Sequence, residues 1–262
     1  MSIKVFGYPD IHWSDRDEQA LACAERAQRQ FKPDITVIGG DLLSCPAFSE
    51  YRRQSMQEAV AEDWEKSELI PASAFLARVG RHTKDKVYIL EGNHEARVER
   101  WAVNLSVLGQ SLYTFLSPRR RLLEGLDKRR YKWIPYAEKP SERSYLSLSP
   151  SLSVVHGWTY CKHAAQRHLE LSRSRSIIFH HTHRMQYVME RDPWQDVSIE
   201  AMSAGCLCQL RPIYQVSGAP TQWTHGFWVA YLSEKQRRDY TLYPVSINKG
   251  RAIMPDGKEV QA

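Results

Sequence analysis

Five short patches of histidine, aspartate and asparagine occur in a fixed order along this 262-residue chain. They are Asp10-Ile11-His12, Gly39-Gly40-Asp41, Gly92-Asn93-His94-Glu95, His156-Gly157 and His181-Thr182-His183. Each lies at or just after a short apolar, β-branched run. A chain whose apolar runs end on such polar loops is constrained toward an α/β architecture, because loops at strand ends converge on one crevice. Seven residues in these patches, Asp10, His12, Asp41, Asn93, His156, His181 and His183, offer oxygen or imidazole donors and no thiolate. That donor set suits manganese, iron, zinc or nickel, and argues against an iron–sulfur cluster or a four-thiolate structural zinc. Seven donors are too many for one tetrahedral site but suit two ions that share a carboxylate. Side chains two apart on a strand face the same way, so Asp10 and His12 can reach one cation. The glycines before Asp41 allow a tight turn and a close backbone approach.

The runs at residues 3–8, 35–38 and 87–90 read as buried strands. Helices are expected over 14–30, capped by Ser14 with Asp17 and Glu18 in its first turn, and over 95–107. Residues 49–79 read as helix-rich with a break before Pro71. Such strand–helix–strand units predict parallel pairing with right-handed crossovers. Beyond residue 130 the pattern changes to strands at 131–135, 145–148, 152–155 and 177–179, with one helix over about 161–171. Residues 185–247 read as almost wholly β, and Asp256-Gly257 predicts a hairpin in the tail. The expectation is a mixed α/β (α+β) fold of two packed mixed β-sheets flanked by helices. It forms one domain over residues 1–250, with a helical, basic cap from about 49–80 and 105–130, and a C-terminal tail or hairpin over 251–262.

Together the five blocks resemble the signature of the calcineurin-like metallophosphoesterase superfamily, which runs D-x-H, G-D, G-N-H-[ED], H and G-H-x-H. The likeness spans residues 10–183. The longer strings Gly92-Asn93-His94-Glu95-Ala96-Arg97, Gly205-Cys206-Leu207-Cys208 and Gly226-Phe227 resemble stand-alone, phage-type members and carry a weaker likeness to about residue 232. The resemblance implies a four-layer sandwich and hydrolysis of phosphoester bonds by a hydroxide bridging two divalent ions, manganese being the leading candidate. It implies that Asp10, His12, Asp41 and His183 hold the first ion, and that Asp41, Asn93, His156 and His181 hold the second, with Asp41 shared. His94 would not ligate but would stabilise or protonate the leaving group, a task for which an imidazole pKa is suited. Glu95 would orient His94 or a ligand.

Two departures matter. His180 stands where the family often has glycine; it reads either as solvent-facing or internally satisfied, or as an outer donor to the site. Ser44 stands where some members carry a second acid. Arg97 and Arg100 share a helix face. The alternatives are a phosphate contact, open for Arg97, and salt bridges to Glu95 or Glu99, favoured for Arg100. His225 reads as a core or edge histidine, and His82, His163 and His168 as surface residues. Trp158 and Tyr160 either pack or stack a ring near the site.

The net charge of +6 hints at polyanionic partners, with basic residues gathered at Arg119, Arg120, Arg121, Lys128, Arg129 and Arg130 and again at Arg173 and Arg175. That surplus, the aromatics and the phage-type likeness favour phosphodiesters, DNA or RNA among them. The alternatives are a phosphomonoesterase acting on a nucleotide or phosphoprotein, and a non-catalytic nucleic-acid-binding module. The family leaves room for a homodimer. The five cysteines form no C-x-x-C pair, so reduced thiols are expected, with Cys206 and Cys208 as small buried groups on one face of a strand. The first residues read as a strand rather than a signal peptide, and no run is long enough to span a membrane. Both point to the cytoplasm of a bacterial or phage-infected cell.

Overall fold

The computed structural model describes residues 2–49, 64–104, 109–142, 144–172, 175–192, 196–211, 221–236 and 239–262. Strands β1 (Ser2–Tyr8), β2 (Ile35–Ile38), β3 (Lys86–Leu90) and β4 (Tyr131–Ile134) lie side by side in parallel. Helices α1 (Glu18–Phe31), α2 (Ile70–Arg81) and α3 (Asn93–Val103) fall between them in the chain, the last followed by α4 (Gly109–Leu116) and α5 (Pro118–Leu122). A second sheet has the order β5 (Leu146–Ser147), β6 (Leu152–Val154), β7 (Ser176–Ile178), β9 (Val197–Ala204), β8 (Met185–Asp192). Helix α6 (Ala164–Ser172) covers its outer face. The chain then returns to the first sheet, where β10 (Gly226–Ser233) pairs antiparallel with β1 and β11 (Tyr240–Ser246) with β10.

The layers follow from the alternation of side chains along each strand. In β1, Val5 faces the second sheet, whereas Phe6 and Tyr8 face the helices. Val5, Val37 and Leu90 meet Leu152, Val154, Ile178 and Met202 between the sheets, with Trp228 at the centre. Phe6, Tyr8 and Ile38 pack instead with Phe31, Phe75 and Leu76 of the helical layer. The observed architecture is the expected two mixed sheets flanked by helices. Trp228 fits only because β1 carries glycine opposite it: a Cβ on Gly7 would lie 1.8 Å from the Trp228 ring.

The tail forms an antiparallel pair, β12 (Arg251–Ile253) and β13 (Glu259–Gln261), with Asp256-Gly257 in the connection. Ala252 and Val260 bury against the α1 layer. Residues 50–63 and 105–108, within the expected cap, lie outside the described residues, as do the end expected for α3 and Arg173 of the second basic cluster. No helix among the described residues is long and apolar enough to cross a membrane.

Three local expectations are corrected. Asp17, not Ser14, caps α1, its carboxylate accepting from Ala20 N at 2.8 Å; Ser14 sits in a 3-10 turn, Trp13–Asp15, and its hydroxyl bonds elsewhere. Among the described residues no break precedes Pro71. A π-helical stretch, Glu65–Leu69, runs straight into α2 with proline in its first turn, where a missing N–H is tolerated.

His168 is not a surface residue but wholly buried, its ring stacked on Phe179 with centroids 4.0 Å apart. It shares the inner face of α6 with Ala164, Ala165 and Leu169, and both ring nitrogens are satisfied: Nδ1–H donates to Ala164 O and Nε2 accepts from Trp158 N. Nitrogen partners supplied by the fold are invisible in residue spacing.

Two predictions follow from this packing. Gly7→Ala should destabilise the protein by about 1–3 kcal/mol through overpacking against Trp228, measured as a lowered urea midpoint at unchanged slope. Burial depresses the His168 pKa to about 4. The unfolded chain therefore takes up a proton near pH 6.5 that the folded chain refuses. The stability His168 contributes is complete above that pH and falls as pH drops from 6.5 to 4, by about 3 kcal/mol in all. Urea titrations across that window should show this slope, and His168→Gln should flatten it.

Candidate metal centre

All five patches sit at the carboxyl ends of strands, three from the first sheet (β1, β2, β3) and two from the second (β6, β7). The loops are tied to one another by backbone bonds. Asp41 O accepts from Ile11 N and His12 N at 3.1 and 2.8 Å, and His180 N donates to His156 O at 2.8 Å. The Asp10 carboxylate accepts from His181 N at 3.0 Å, bridging the sheets.

The seven expected donors come together. Asp41 Oδ2 lies 3.6 Å from His12 Nε2 and 3.4 Å from His156 Nε2. On one side, His12 Nε2 and His183 Nε2 are 3.1 Å apart, and His183 Nε2 is 3.5 Å from Asp10 Oδ1. On the other, His156 Nε2 is 3.0 Å from Asn93 Oδ1, and His181 brings a ring nitrogen within 4.8 Å of both Asp41 and His156. His156 Nδ1 faces the Gly39 carbonyl at 2.9 Å. A carbonyl only accepts, so Nδ1 carries the proton and the Nε2 lone pair is turned toward Asn93 and Asp41. Lone pairs of imidazoles, an amide oxygen and two carboxylates thus face one another in two adjoining groups that meet at Asp41. This donor chemistry fits two divalent cations of the borderline class.

The backbone is bent to achieve this. His12, Asp41, His181 and His183 all have positive φ, at 49°, 48°, 71° and 56°. Each such residue costs of order 1–3 kcal/mol and persists only where its surroundings over-determine it. Gly40, at φ +97°, meets the requirement read from sequence: a Cβ there would stand 2.4 Å from His156 Nδ1.

Burial alone would raise the carboxyl pKa values, but His156 and His94 hold Asp41 well below the usual range, and His183 does the same for Asp10. Conversely, burial would lower His156, yet with no cation present the Asp41 charge raises it to about 9, so a cation must displace the Nε2 proton to gain that lone pair. Burial and the neighbouring His94 depress His12.

His94 stands beside the donors, with Nε2 4.0 Å from Asp41 Oδ2. Its backbone N donates to Asp41 Oδ1 at 2.9 Å, and its Nδ1–H donates to Ser44 O at 2.8 Å. Arg97 makes neither expected salt bridge. Its Nη2 lies 3.0 Å from His94 Nε2. Arg100 pairs with Glu138 at 2.9 Å rather than Glu95 or Glu99, since Glu95 is buried and otherwise engaged.

Glu95 does not orient His94. Its carboxylate accepts from Asp41 N, Leu43 N and Gly92 N at 3.2, 2.7 and 2.9 Å, clamping the β2 and β3 loops together. Burial and the Asp41 charge push its pKa up to about 8, against these three donors. His180 is neither solvent-facing nor in contact with the expected ligand side chains. It is fully buried, donates from Nδ1 to Val155 O at 3.0 Å and accepts at Nε2 from the Trp228 indole at 3.1 Å; burial lowers its pKa to about 4.

A groove of about 750 Å³ opens beside the centre, bordered by Phe48, Asn93, Arg97, Trp101, Tyr136 and His181. Tyr160, 79% exposed, stands at its ring distance of 5.9 Å from His181, whereas Trp158 stacks on His168. His225 donates from Nε2–H to Cys208 O at 2.8 Å, and His82 and His163 are exposed.

Two features escaped the sequence reading, the contact of Cys208 with His183 and the place of Glu68. Cys206 and Cys208 make isolated bridges rather than a strand, and the Cys208 thiol lies 3.6 Å from His183 Nδ1. The C-x-C spacing was a signal, but nothing in it pointed to His183. Glu68, fully buried, accepts hydrogen bonds from the loops after His12 and Asp41. It lies 27 residues beyond Asp41 with no motif around it.

The chain matches the model of the calcineurin-like phosphoesterases over residues 3–215. It belongs to that family, whose members are phosphoester hydrolases dependent on divalent metals. No curated protein matches the sequence. Among solved structures it is similar to vacuolar protein sorting 29 from Cryptosporidium parvum, with a TM-score of 0.52, 9% identity and full coverage of both chains. Vps29 from Chaetomium thermophilum gives 0.49 and 11%, over 100% of this chain and 94% of that one. Likeness at such identity shows the fold alone.

Glu95→Gln should test the clamp. It places an NH2 group among N–H donors, and should destabilise the protein by about 1–3 kcal/mol, with faster hydrogen exchange at Leu43 and Gly92.

Proposed function

We propose that this protein is a two-metal phosphodiesterase in which Asp41 is shared between the ions. Asp10, His12, Asp41 and His183 hold the first ion, and Asp41, Asn93, His156 and His181 the second. The observation that carries this reading is the position of Asp41 Oδ2, nearly equidistant from His12 Nε2 and His156 Nε2, which arrive from different sheets. The ions, manganese the first to test, would supply Lewis acidity and an activated water at neutral pH. The protein's own part is positioning. Asn93 adds an oxygen without adding negative charge near an anionic substrate. His94 faces the same space as the ligands and stabilises or protonates the departing oxygen. Arg97, on the groove side of His94, offers a cation to a phosphoryl oxygen.

The groove supports a diester with a ring-bearing substituent, nucleic acid included. Trp101, 37% exposed, and Phe48 meet edge to face at 5.2 Å, with Tyr136 also on its wall. The net basic charge supports the same class, although less strongly than its count suggests. Arg121 pairs with Glu65, Arg129 with Asp127, and Arg130 donates to Gly80 O and Thr83 O.

Hydrolysis of bis-p-nitrophenyl phosphate and p-nitrophenyl phosphate by manganese-loaded protein tests this reading. The expected outcome is turnover of the diester, lowered more than about 100-fold by Asp41→Asn. Turnover of the monoester alone would shift the assignment to a phosphatase. Folded, metal-loaded protein inert toward both esters would remove the hydrolase reading.

A further inference from the structure

We infer that Glu68 is a positioning residue for His94, acting through the peptide group that joins Ser44 to Cys45. The relay is geometric. Glu68 Oε2 accepts the Cys45 N–H at 3.0 Å, and the carbonyl of that same peptide unit, Ser44 O, accepts the His94 Nδ1–H at 2.8 Å. A carboxylate on the N–H side of a peptide draws electron density toward its oxygen. The carbonyl becomes a stronger acceptor, because hydrogen bonds in a chain polarise one another in a low-dielectric interior. The proton of neutral His94 is thereby kept on Nδ1, and Nε2 is turned to the groove.

The rest of the Glu68 environment fixes this arrangement. Its side chain is fully buried. Oε1 accepts from Ser44 N at 2.8 Å and from the Ser14 hydroxyl, and Oε2 also accepts from the Trp64 indole at 2.9 Å. The donors among the described residues are all neutral. A buried carboxyl group is costly unless its oxygens are hydrogen-bonded, and here these donors supply the bonds. Ser14 lies two residues after His12, and Cys45 lies four after Asp41 with φ at 45°. Glu68 therefore anchors the far ends of both ligand loops as well as the peptide behind His94. It projects from the π-helical stretch Glu65–Leu69, and such local unwinding of a helix is frequent at functional sites. The Ser44 hydroxyl takes no part, having no hydrogen-bond partner among the described residues; the residue contributes its backbone.

The kinetic consequence rests on the phosphodiesterase reading, but the relay itself does not. The test is Glu68→Gln, with Glu68→Asp as a milder variant should the first not fold, each checked for thermal unfolding and metal content. In 15N-histidine-labelled protein, the wild type should show His94 as the Nδ1–H tautomer, and the variant a shift toward the mixed tautomer. With methyl phenyl phosphate, whose leaving group is poor, kcat should fall roughly 10- to 100-fold with KM within about twofold. The loss with bis-p-nitrophenyl phosphate should be smaller. In a His94→Asn background, Glu68→Gln should add less than about twofold, the non-additivity expected of one pathway. An additive loss in that background, or unchanged His94 15N shifts, would overturn the relay. If the wild type hydrolyses neither ester, the phosphodiesterase reading fails while the 15N shifts still decide whether Glu68 sets the tautomer.

Discussion

The structure turns on how Asp41 is held. Its carbonyl takes the N–H groups of Ile11 and His12 from the β1 loop, its own N–H goes to Glu95 on α3, and its Oδ1 takes the His94 N–H. Those bonds leave Oδ2 toward three imidazoles, at 3.4, 3.6 and 4.0 Å. One residue with left-handed backbone thus joins the loops after β1, β2 and β3 and faces the second sheet through His156. Such a carboxylate is expensive to bury. The network orients it without neutralising it, and the surrounding nitrogen lone pairs call for cations. Charge balance at Asp41 links the fold to its chemistry.

The scaffold behind the site is equally connected. Trp228 of β10 lies at the centre of the inter-sheet core, against Gly7 of β1. Its indole N–H reaches His180, which hands on a bond to the Val155 carbonyl, one residue before His156. A polar chain therefore crosses an otherwise apolar interior, from the antiparallel half of the first sheet to the loops of the second. Two ligand loops flank it, His156 on one side and His181 on the other. Buried polar networks of this kind specify one arrangement when every member is satisfied. Here the arrangement is the separation between the sheets at the candidate metal centre, and support of this sort from behind a site holds its geometry to fractions of an ångström.

Much of this was legible in the sequence. The runs at 3–8, 35–38 and 87–90 ended where β1, β2 and β3 end because each is closed by one of the polar patches, and residues 35–38 matched without adjustment. The five patches carried the candidate site because short local spacing, Asp10 with His12 or His181 with His183, is a property of sequence. What spacing cannot carry is the partner of a buried polar group. His168 was misjudged for that reason, since its partners are Ala164 and Trp158; His180, left open in the sequence, is internally satisfied by Val155 and Trp228. Ser14 looked like a helix cap because its hydroxyl was assumed free, whereas Glu68 claims it. Arg100 was assigned an acid on its own helix, but the fold brought Glu138 closer; Arg97, left open between a phosphate contact and such a salt bridge, lies against His94. For Ser14 and Arg100 a long-range contact overrode a local rule.

The electrostatics of His94 show why such contacts matter for the proposed reaction. With Nδ1–H committed to Ser44, a neutral His94 presents only a lone pair at Nε2, the atom Arg97 approaches. To protonate a leaving oxygen it must be an imidazolium with a proton on Nε2. Burial depresses its pKa; Asp41 opposes this, and the Arg97 charge adds to the depression. A donor with a lowered pKa gives up its proton readily but is less often protonated at neutral pH, and the best compromise lies near the working pH. Asp41 and Arg97 pull His94 in opposite directions across that compromise. On the proposed reading, an incoming phosphodiester would bring negative charge that favours the imidazolium and would draw Arg97 away from Nε2. Substrate binding would itself load the acid, so that the proton is present when the leaving group needs it and less so when the groove is empty.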